Sequence, residues 1–218
     1  WERVRAIQAF DAALASGDVA AIDRELRSVW LLMRENGLRA RQKRRFKRTT
    51  DSEHAWPIAP NIIDQDFTAT APNRKWGVDI SYVWTREGWL YLAVVIDLFS
   101  RRVVGWSMKA EMTAQLVTDA LVMAIWRRGR PGALLHHSDQ GSQYTSEQFQ
   151  RLLHDHGITC SMSRSGYVWD NAAMESFFSL LQNNVLDRRS WATRDELRAA
   201  IVHWIERTYH RRRRQDRL

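Results

Sequence analysis

Three acidic residues stand in settings where a carboxylate could do chemistry: Asp79, Asp139 and Glu175. Asp79 lies inside the apolar, β-branched run Trp76-Gly-Val-Asp-Ile-Ser-Tyr82, and Asp139 follows a second apolar run that starts at Gly132. Glu175 lies in a segment with helical spacing, and 35 residues separate it from Asp139. Carboxylates that approach one another in a core cost free energy unless a divalent cation neutralises them. Oxygen ligands favour Mg²⁺ or Mn²⁺ over zinc, so these residues form a candidate metal site.

The elements that must position these residues have the predicted order β-β-β-α-β-α-β-α from residue 76 onward. Short turns between the first three strands predict an antiparallel meander, and the whole pattern predicts an α/β fold with a mixed five-stranded sheet flanked by helices. The predicted strands are Trp76–Val83, Trp89–Ile96, Val103–Met108, Ala133–His137 and Gly157–Met162, and the predicted helices are Thr113–Arg127, Ser146–His156, 171–183 and 193–209. In such a sheet the first and fourth strands can lie side by side, which would bring Asp79 and Asp139 together at a strand end, where ligands bind in α/β sheets.

Glu175 is predicted to project from the less apolar side of its helix, because Ser179 and Gln182 follow it at i+4 and i+7. Asp170 or Asn171 is the predicted cap of this helix. Taken singly, each acidic residue is more often structural or solvated than functional. The combination of the three settings is what favours a site.

The N-terminal part is predicted to be helical over residues 1–38, with a second helix from Val19 to about Asn36. The run Arg39–Arg48 follows, with seven basic residues in ten and no acid. Residues 49–75 carry three prolines and little periodicity, which predicts a linker. The chain is therefore divided into a helical, basic N-terminal region (1–48), a linker (49–75) and a core (76–218).

The composition narrows the classes of function. The 218 residues carry a net charge of +8, which favours a polyanionic partner, most simply nucleic acid, over a merely basic surface. The single Cys160 excludes an internal disulfide and a cysteine-rich zinc site and fits a reducing, cytoplasmic setting. No apolar run approaches the roughly 18–20 residues of a membrane span.

Four stretches of the sequence resemble the bacterial insertion-sequence transposases that carry a retroviral-integrase-type core. They are Trp76-Gly-Val-Asp-Ile-Ser-Tyr82, the run Trp89 to Trp106, His136-His-Ser-Asp-Gln-Gly-Ser-Gln-Tyr-Thr-Ser146 and Asp170-Asn-Ala-Ala-Met-Glu-Ser-Phe-Phe178. The resemblance covers about residues 40–218. It implies a ribonuclease-H-like fold.

The resemblance also implies a reaction and its residues. Asp79, Asp139 and Glu175 would be the DDE triad of that family and would hold Mg²⁺ or Mn²⁺, as two ions. The chemistry would be phosphoryl transfer on DNA, in which the ends of an insertion element are cleaved and joined to a target. The implied partners are DNA and further copies of the chain, and in some systems an upstream-frame helix-turn-helix protein; the implied location is the bacterial cytoplasm, at the nucleoid.

Several side chains are candidates for contact with DNA. The basic run and the C-terminal arginines could track phosphates, Arg164 and Trp169 lie in the loop before Glu175, and Trp169 could stack on unpaired bases. The predicted DNA contacts are Arg41, Lys43, Arg44, Arg45, Lys47, Arg48, Arg164, Trp169, Gln182, Arg211 and Arg212. His136 and His137 are expected to have structural or supporting roles rather than to bind the metal.

The sequence departs from the family pattern at two points. Many relatives carry a lysine about two turns after the catalytic glutamate, where this chain has Gln182. The N-terminal region is shorter than the helix-turn-helix unit that usually precedes the core. Two alternatives therefore stand beside a transposase: a catalytically inactive DNA-binding relic of one, and a nuclease on the same fold.

Overall fold

The central sheet begins with a three-stranded antiparallel meander. Strands β1 (Lys75–Thr85), β2 (Gly88–Asp97) and β3 (Val103–Lys109) are consecutive in the chain and neighbours in space. Val, Ile, Leu and aromatic residues dominate them, as expected for strands covered on both faces. Gly88 closes the first turn with a φ of +112°, a conformation that costs glycine little.

Two crossovers extend the sheet on the other side of β1. The N-terminal helix α1 (Val19–Glu35) precedes the sheet in the chain, so the first helix of the core is α2 (Ala114–Arg128). After α2 come β4 (Leu135–Ser138), the short helices α3 (Ser142–Thr145) and α4 (Glu147–Asp155), and β5 (Thr159–Met162). Both β4 and β5 run parallel to β1, which gives the strand order β3-β2-β1-β4-β5. The predicted mixed five-stranded sheet is confirmed.

The chain then adds helices to the second face of the sheet. A 3₁₀ turn (Val168–Asn171) leads into α5 (Ala172–Asn184), and α6 (Arg194–His203) follows. The predicted helix 193–209 continues from α6 as a π-helical segment (Trp204–Tyr209) and ends in α7 (His210–Arg212).

Each face of the sheet has its own hydrophobic core. On one face Trp76 and Val78 of β1 pack with α2 and with Phe149 of α4. On the other face Val94 of β2 packs with Met174 of α5. Residues alternate between these faces along β1, so Gly77 and Asp79 point towards the α5 side. A Cβ atom built on Gly77 would lie 3.2 Å from Met174 Sδ, which agrees with that direction.

Two predicted strands are shorter than expected. The predicted strand Ala133–His137 is observed at Leu135–Ser138, because Ala133 adopts a left-handed turn conformation with a φ of 55°. The predicted strand Gly157–Met162 begins only at Thr159, since Gly157 also has a positive φ, 62°. The short helix α3 was not predicted. It lies between Asp139 and α4, where the sequence offers only four helical residues.

The computed structural model describes residues 18–35, 58–129, 132–164 and 167–212, together with Ala9 and Ser16. The chain divides into two compact units, Trp1–Lys47 and Arg48–Leu218. In the first unit, the predicted helix that starts at Val19 is observed as α1 (Val19–Glu35), and the Asp18 carboxylate caps it by accepting from the N–H of Ala20 at 3.0 Å. The division into 1–48, 49–75 and 76–218 stays a prediction.

Part of the predicted linker is in contact with the core. Ile63 is 2% exposed, and the N–H of Ile62 donates to Ser161 Oγ of β5 at 2.9 Å. Among the described residues, no helix has the length and apolar character needed to cross a membrane.

Candidate active site

Asp79 and Asp139 are brought together by the pairing of β1 with β4. The two strands are parallel, and their register pairs Gly77 with His137. Continued by two residues, this register places Asp79 level with Asp139, which directly follows β4. In-register residues on adjacent strands point to the same face, and adjacent strands are about 4.8 Å apart. The predicted meeting of the two carboxylates at this strand end therefore follows from the topology.

Each aspartate is held by backbone groups near it. The N–H of Ile80 donates to Asp79 Oδ1 at 2.8 Å, and the N–H of Gly141 donates to Asp139 Oδ1 at 3.0 Å. The second bond is an Asx-type turn, which directs the chain away from the end of β4. Both residues are half-buried.

Glu175 enters from the first turn of α5. Its neighbour Met174 is fully buried against the sheet beneath Gly77, while Glu175 itself is exposed. Buried Phe177 and Leu181 continue the packed face of the helix. Glu175 thus stands at the edge of the sheet contact, on the side of the sheet towards which Asp79 points.

The three carboxylates interact electrostatically. Burial, together with the negative charges of Asp139 and Glu175, raises the pKa of Asp79 to about 8, although hydrogen bonds from the Ile80 N–H and the Asn171 side chain oppose the shift. Within the part of the chain that is described, Asp79 has no ion-pair partner. A half-buried carboxylate with two acidic neighbours is the environment that a divalent cation relieves.

The donor set fits a hard divalent cation, since it offers carboxylate oxygens and no sulfur. The described residues contain no group of three His, Cys, Asp or Glu side chains close enough to hold one ion together. Glu175 is the exposed member. It is therefore the residue whose side chain must turn towards the two aspartates for all three to share an ion.

Two buried polar side chains lie behind Asp139. Tyr144 of α3 is 1% exposed, its hydroxyl has no hydrogen-bond partner among the described residues, and burial together with the charges of Asp139 and Asp79 raises its pKa. His136 is fully buried on the same face, with its ring centroid 5.2 Å from that of Phe149 and 6.2 Å from that of Tyr144. Burial lowers the pKa of His136 to about 3, so its ring is neutral and acts in packing.

His137 of β4 connects β5 with the segment that leads into α5. Its Nε2 lies 2.9 Å from the backbone oxygen of Asp170, and its Nδ1 lies 2.9 Å from Ser161 Oγ. A carbonyl oxygen only accepts, so Nε2 carries the proton and Nδ1 accepts from the serine hydroxyl. The pKa of His137 is lowered by burial, which agrees with a neutral ring.

The predicted DNA contacts fall into three groups. Arg41, Lys43, Arg44, Arg45, Lys47 and Arg48 lie outside the described residues, as do the side chains of Trp169 and Arg212. Gln182 and Arg211 are exposed, and Gln182 donates to Asp187 at 2.6 Å. Arg164 is half-exposed and forms an ion pair with Asp170. These DNA contacts stay predictions.

Sequence reasoning assigned too small a role to the start of α5. Asn171 occupies the cap position but makes no side-chain cap bond, and Asp170 does not cap the helix either. The Asp170 carboxylate instead accepts from Asn61, Gln65 and Arg164. The polar pair Asp170-Asn171 ahead of an apolar helix could have indicated a functional helix start. The distant hydrogen-bond partners of Asp170 cannot be deduced from a local sequence pattern.

A five-stranded mixed sheet with acidic residues at adjacent strand ends and on a following helix defines the class of integrase-core proteins. Integrase core domain family models match residues 69–167 and 156–217. The likeness extends to the simian T-cell lymphotropic virus intasome, solved in complex with PP2A regulatory subunit B56 gamma. One of its chains is 21% identical with a TM-score of 0.54, over 72% of this chain and 55% of that chain, which shows the fold.

Relatives with closer sequences narrow the class. Transposase InsF for insertion sequence IS3A of Escherichia coli (strain K12) is 46% identical over 191 residues, which cover 88% of this chain. The insertion element IS600 uncharacterized 31 kDa protein of Shigella sonnei is 44% identical over 187 residues, which cover 86% of this chain and 69% of that protein. The chain belongs to the family of insertion-sequence transposases with an integrase core. It spans 66% of the length of InsF.

Proposed function

We propose that this protein cleaves the ends of an insertion element and joins them to target DNA, with Asp79, Asp139 and Glu175 as the residues that hold Mg²⁺ or Mn²⁺. The observation that carries the proposal is the parallel register of β1 and β4, which sets Asp79 level with Asp139. The negative charge of Glu175 acts to raise the pKa of Asp79, which supports Glu175 as the third carboxylate of the proposed site.

The roles of the three residues follow from their surroundings. Asp79 and Asp139 are fixed by backbone hydrogen bonds, so they present oxygens at constant positions. Glu175 is exposed and its side chain is free to adjust when the ions and the scissile phosphate arrive. When bound, two such ions supply the Lewis acidity that activates the attacking oxygen and stabilises the leaving 3′ oxygen. The carboxylates hold the ions and do not transfer protons themselves.

The buried surroundings assist this role. The hydrophobic cores on both faces keep water from the back of the site, which strengthens the electrostatic interactions of the carboxylates. Exposed Gln182 lies two turns after Glu175 on the same face of α5, which supports a contact between Gln182 and DNA that reaches Glu175. Basic Arg211 near the end of the described chain would contact phosphates elsewhere on the duplex.

The joining of two element ends calls for more than one copy of the chain, so we expect a dimer or larger complex on DNA. An upstream-frame helix-turn-helix protein is a further expected partner. The expected location is the cytoplasm, at the nucleoid.

Strand cleavage and strand transfer on oligonucleotides that bear the element's ends test the proposal. With Mg²⁺ the protein should cut at the 3′ ends and join them to a second duplex, and Asp139→Asn and Glu175→Gln should each abolish both steps while DNA binding persists. Asp155→Asn, at an exposed residue of α4, is the matched control and should stay active. Cleavage without joining would favour a nuclease, and DNA binding without either reaction by the wild type would favour an inactive relic. Undiminished cleavage by Asp139→Asn would exclude the assigned site.

A further inference from the structure

Asp170 is the centre of a buried polar network next to the proposed active site. The residue is 0% exposed, and its two carboxylate oxygens accept from three side chains. Asn61 Nδ2 donates at 2.9 Å and Gln65 Nε2 at 3.1 Å. Arg164 donates from its backbone N–H, from Nε and from Nη2, each at 2.9 Å. The hydrogen bonds from Arg164 hold the pKa of Asp170 well below its usual range, so the buried carboxylate is ionised.

The network extends to β4 through the backbone of Asp170. His137 donates from Nε2 to the Asp170 carbonyl and accepts on Nδ1 from Ser161 of β5. Ser161 Oγ in turn accepts from the N–H of Ile62. Each side chain of this network thus has a hydrogen-bond partner, which is the condition under which a buried polar network makes a structure rigid. His137 lies two residues before Asp139, so the network reaches the end of the strand that carries the second aspartate.

The network also lies at the point where α5 begins. The helix has no side-chain cap at Asn171, so its first turn is not fixed by a local device. The neighbouring Asp170 is fixed instead by groups that are distant in the chain. Asn171 itself hydrogen-bonds to Asp79, and Glu175 follows Asp170 by five residues, in the first turn of the helix.

We infer that Asp170, bound by Arg164, Asn61 and Gln65, is a positioning residue that fixes the start of α5 so that Glu175 is presented to Asp79 and Asp139. The inference rests on the proposed function of that site. It gives residues 58–65, which precede β1, a share in building the active site. It also gives Arg164 a role that does not require contact with DNA.

Two variants of the full chain test the role of the network. Asp170→Asn keeps the shape of the side chain but turns an amide towards the Arg164 and Asn61 donors, and half-exposed Arg164 can be hydrated when its partner is lost. Arg164→Lys keeps the positive charge and loses the forked geometry that binds both carboxylate oxygens. Asp66→Asn is the matched control, because Asp66 also forms an ion pair, with Lys75 at 3.0 Å, but is exposed and does not belong to the network.

Two measurements need no DNA. Mn²⁺ binding to each purified protein should weaken by about tenfold or more in Asp170→Asn and Arg164→Lys, the range found when groups that orient metal ligands are removed. Amide hydrogen exchange in the first turn of α5 should be faster in both variants. Asp66→Asn should match the wild type in both measurements.

The third measurement separates positioning from general damage. On oligonucleotide ends, kcat for cleavage should fall by about tenfold or more in both network variants, with KM for DNA unchanged. If kcat, Mn²⁺ affinity and exchange in α5 all stay within twofold of the Asp66→Asn values, Asp170 has no positioning role. A fall in kcat that only follows the fraction of unfolded protein contradicts it as well. Should the wild type fail to cleave DNA, the proposed function fails, while metal binding and exchange still decide the inference. If Asp170→Asn does not fold, Arg164→Lys decides it.

Discussion

Asp79 and Asp139 occupy the same level of the sheet on adjacent parallel strands, because the register that pairs Gly77 with His137 continues to them. Neither aspartate depends on the other for its local structure, since each accepts a hydrogen bond from a backbone N–H close to it in sequence. The sheet therefore imposes on two acidic residues a closeness that both would avoid in the absence of a cation.

This closeness should cost stability. We expect Asp79→Asn to raise the free energy of unfolding by on the order of 1 kcal/mol in EDTA at pH 7, because the raised pKa of Asp79 means that its carboxyl must take up a proton on folding, which an asparagine does not need. The variant should at the same time lose cleavage activity, which is the trade-off between stability and activity that is common at active sites. Urea unfolding in EDTA checks the first point. Asp119→Asn, which removes the exposed partner of Lys109, should give no such gain, and an equal gain there would contradict the explanation.

The exposed face of α5 offers a test of where DNA lies. Gln182→Lys should tighten binding to duplex ends and make the slope of log K against log salt steeper by about one unit, because one more phosphate contact becomes possible. Fluorescence anisotropy over a series of salt concentrations measures both. Asn183→Lys adds the same charge one position further round the helix, on an equally exposed residue. If both variants change the slope alike, the effect is one of net charge and not of a contact beside Glu175.

His136 should make the protein less stable in acid. Its pKa is about 3 in the folded protein and near 6.5 in an unfolded chain, so the unfolded state binds the proton first as the pH falls. The free energy of unfolding should thus decrease below pH 6.5, by about 2 kcal/mol at pH 5 from this residue. The titratable groups beside its ring are Tyr144 and His137.

Replacement of that histidine should remove its share of the pH dependence. His136→Leu is expected to lower stability at pH 7 through lost ring contacts but to flatten the decrease between pH 7 and pH 5. Urea unfolding at the two pH values gives the difference. His154→Gln, at a histidine that is 90% exposed, should keep the wild-type decrease. A decrease of the same size in His136→Leu would assign the acid sensitivity to other groups.

Gly105 marks a close approach of β3 to α2. A Cβ atom there would lie 2.1 Å from the backbone oxygen of Ala120 and 2.8 Å from the N atom of Ala124, so α2 would have to move away from β3. Gly105→Ala should therefore destabilise the protein by about 3 kcal/mol or more. Gly132→Ala is the control, since nothing lies within 4 Å of its Cβ position. Thermal unfolding compares the two, and similar midpoints would contradict this packing.

The sheet and the three carboxylates could be predicted because their signals are local and periodic. Apolar runs with short turns predict strands such as β2, and the order of elements predicts the pairing of β1 with β4 that brings Asp79 to Asp139. Strand ends were less predictable, since the positive φ of Ala133 has no clear sequence signal at a non-glycine residue.

The side chains around the candidate active site could not be assigned from local sequence patterns. Asp170 receives hydrogen bonds from residues more than 100 positions earlier, and no local pattern contains that information. The environment of the Tyr144 hydroxyl, which has no hydrogen-bond partner within the described part of the chain, likewise depends on how α3 is placed against β4. Helix α3 is too short for a periodic signal. Sequence reasoning thus found the groups proposed to do the chemistry and missed the groups that hold them in place.

The strand order β3-β2-β1-β4-β5 has a consequence for the order in which the chain can fold. The β1–β2–β3 meander closes only short loops, whereas β4 must return across α2 to reach β1, and such non-local parallel pairing forms slowly. We therefore expect Asp79 to form part of an early hairpin, Asp139 to join it when β4 docks, and Glu175 to come last with α5. A chain still leaving the ribosome would hold no complete set of carboxylates. The proposed ability to cut DNA would then be among the last properties that the protein acquires.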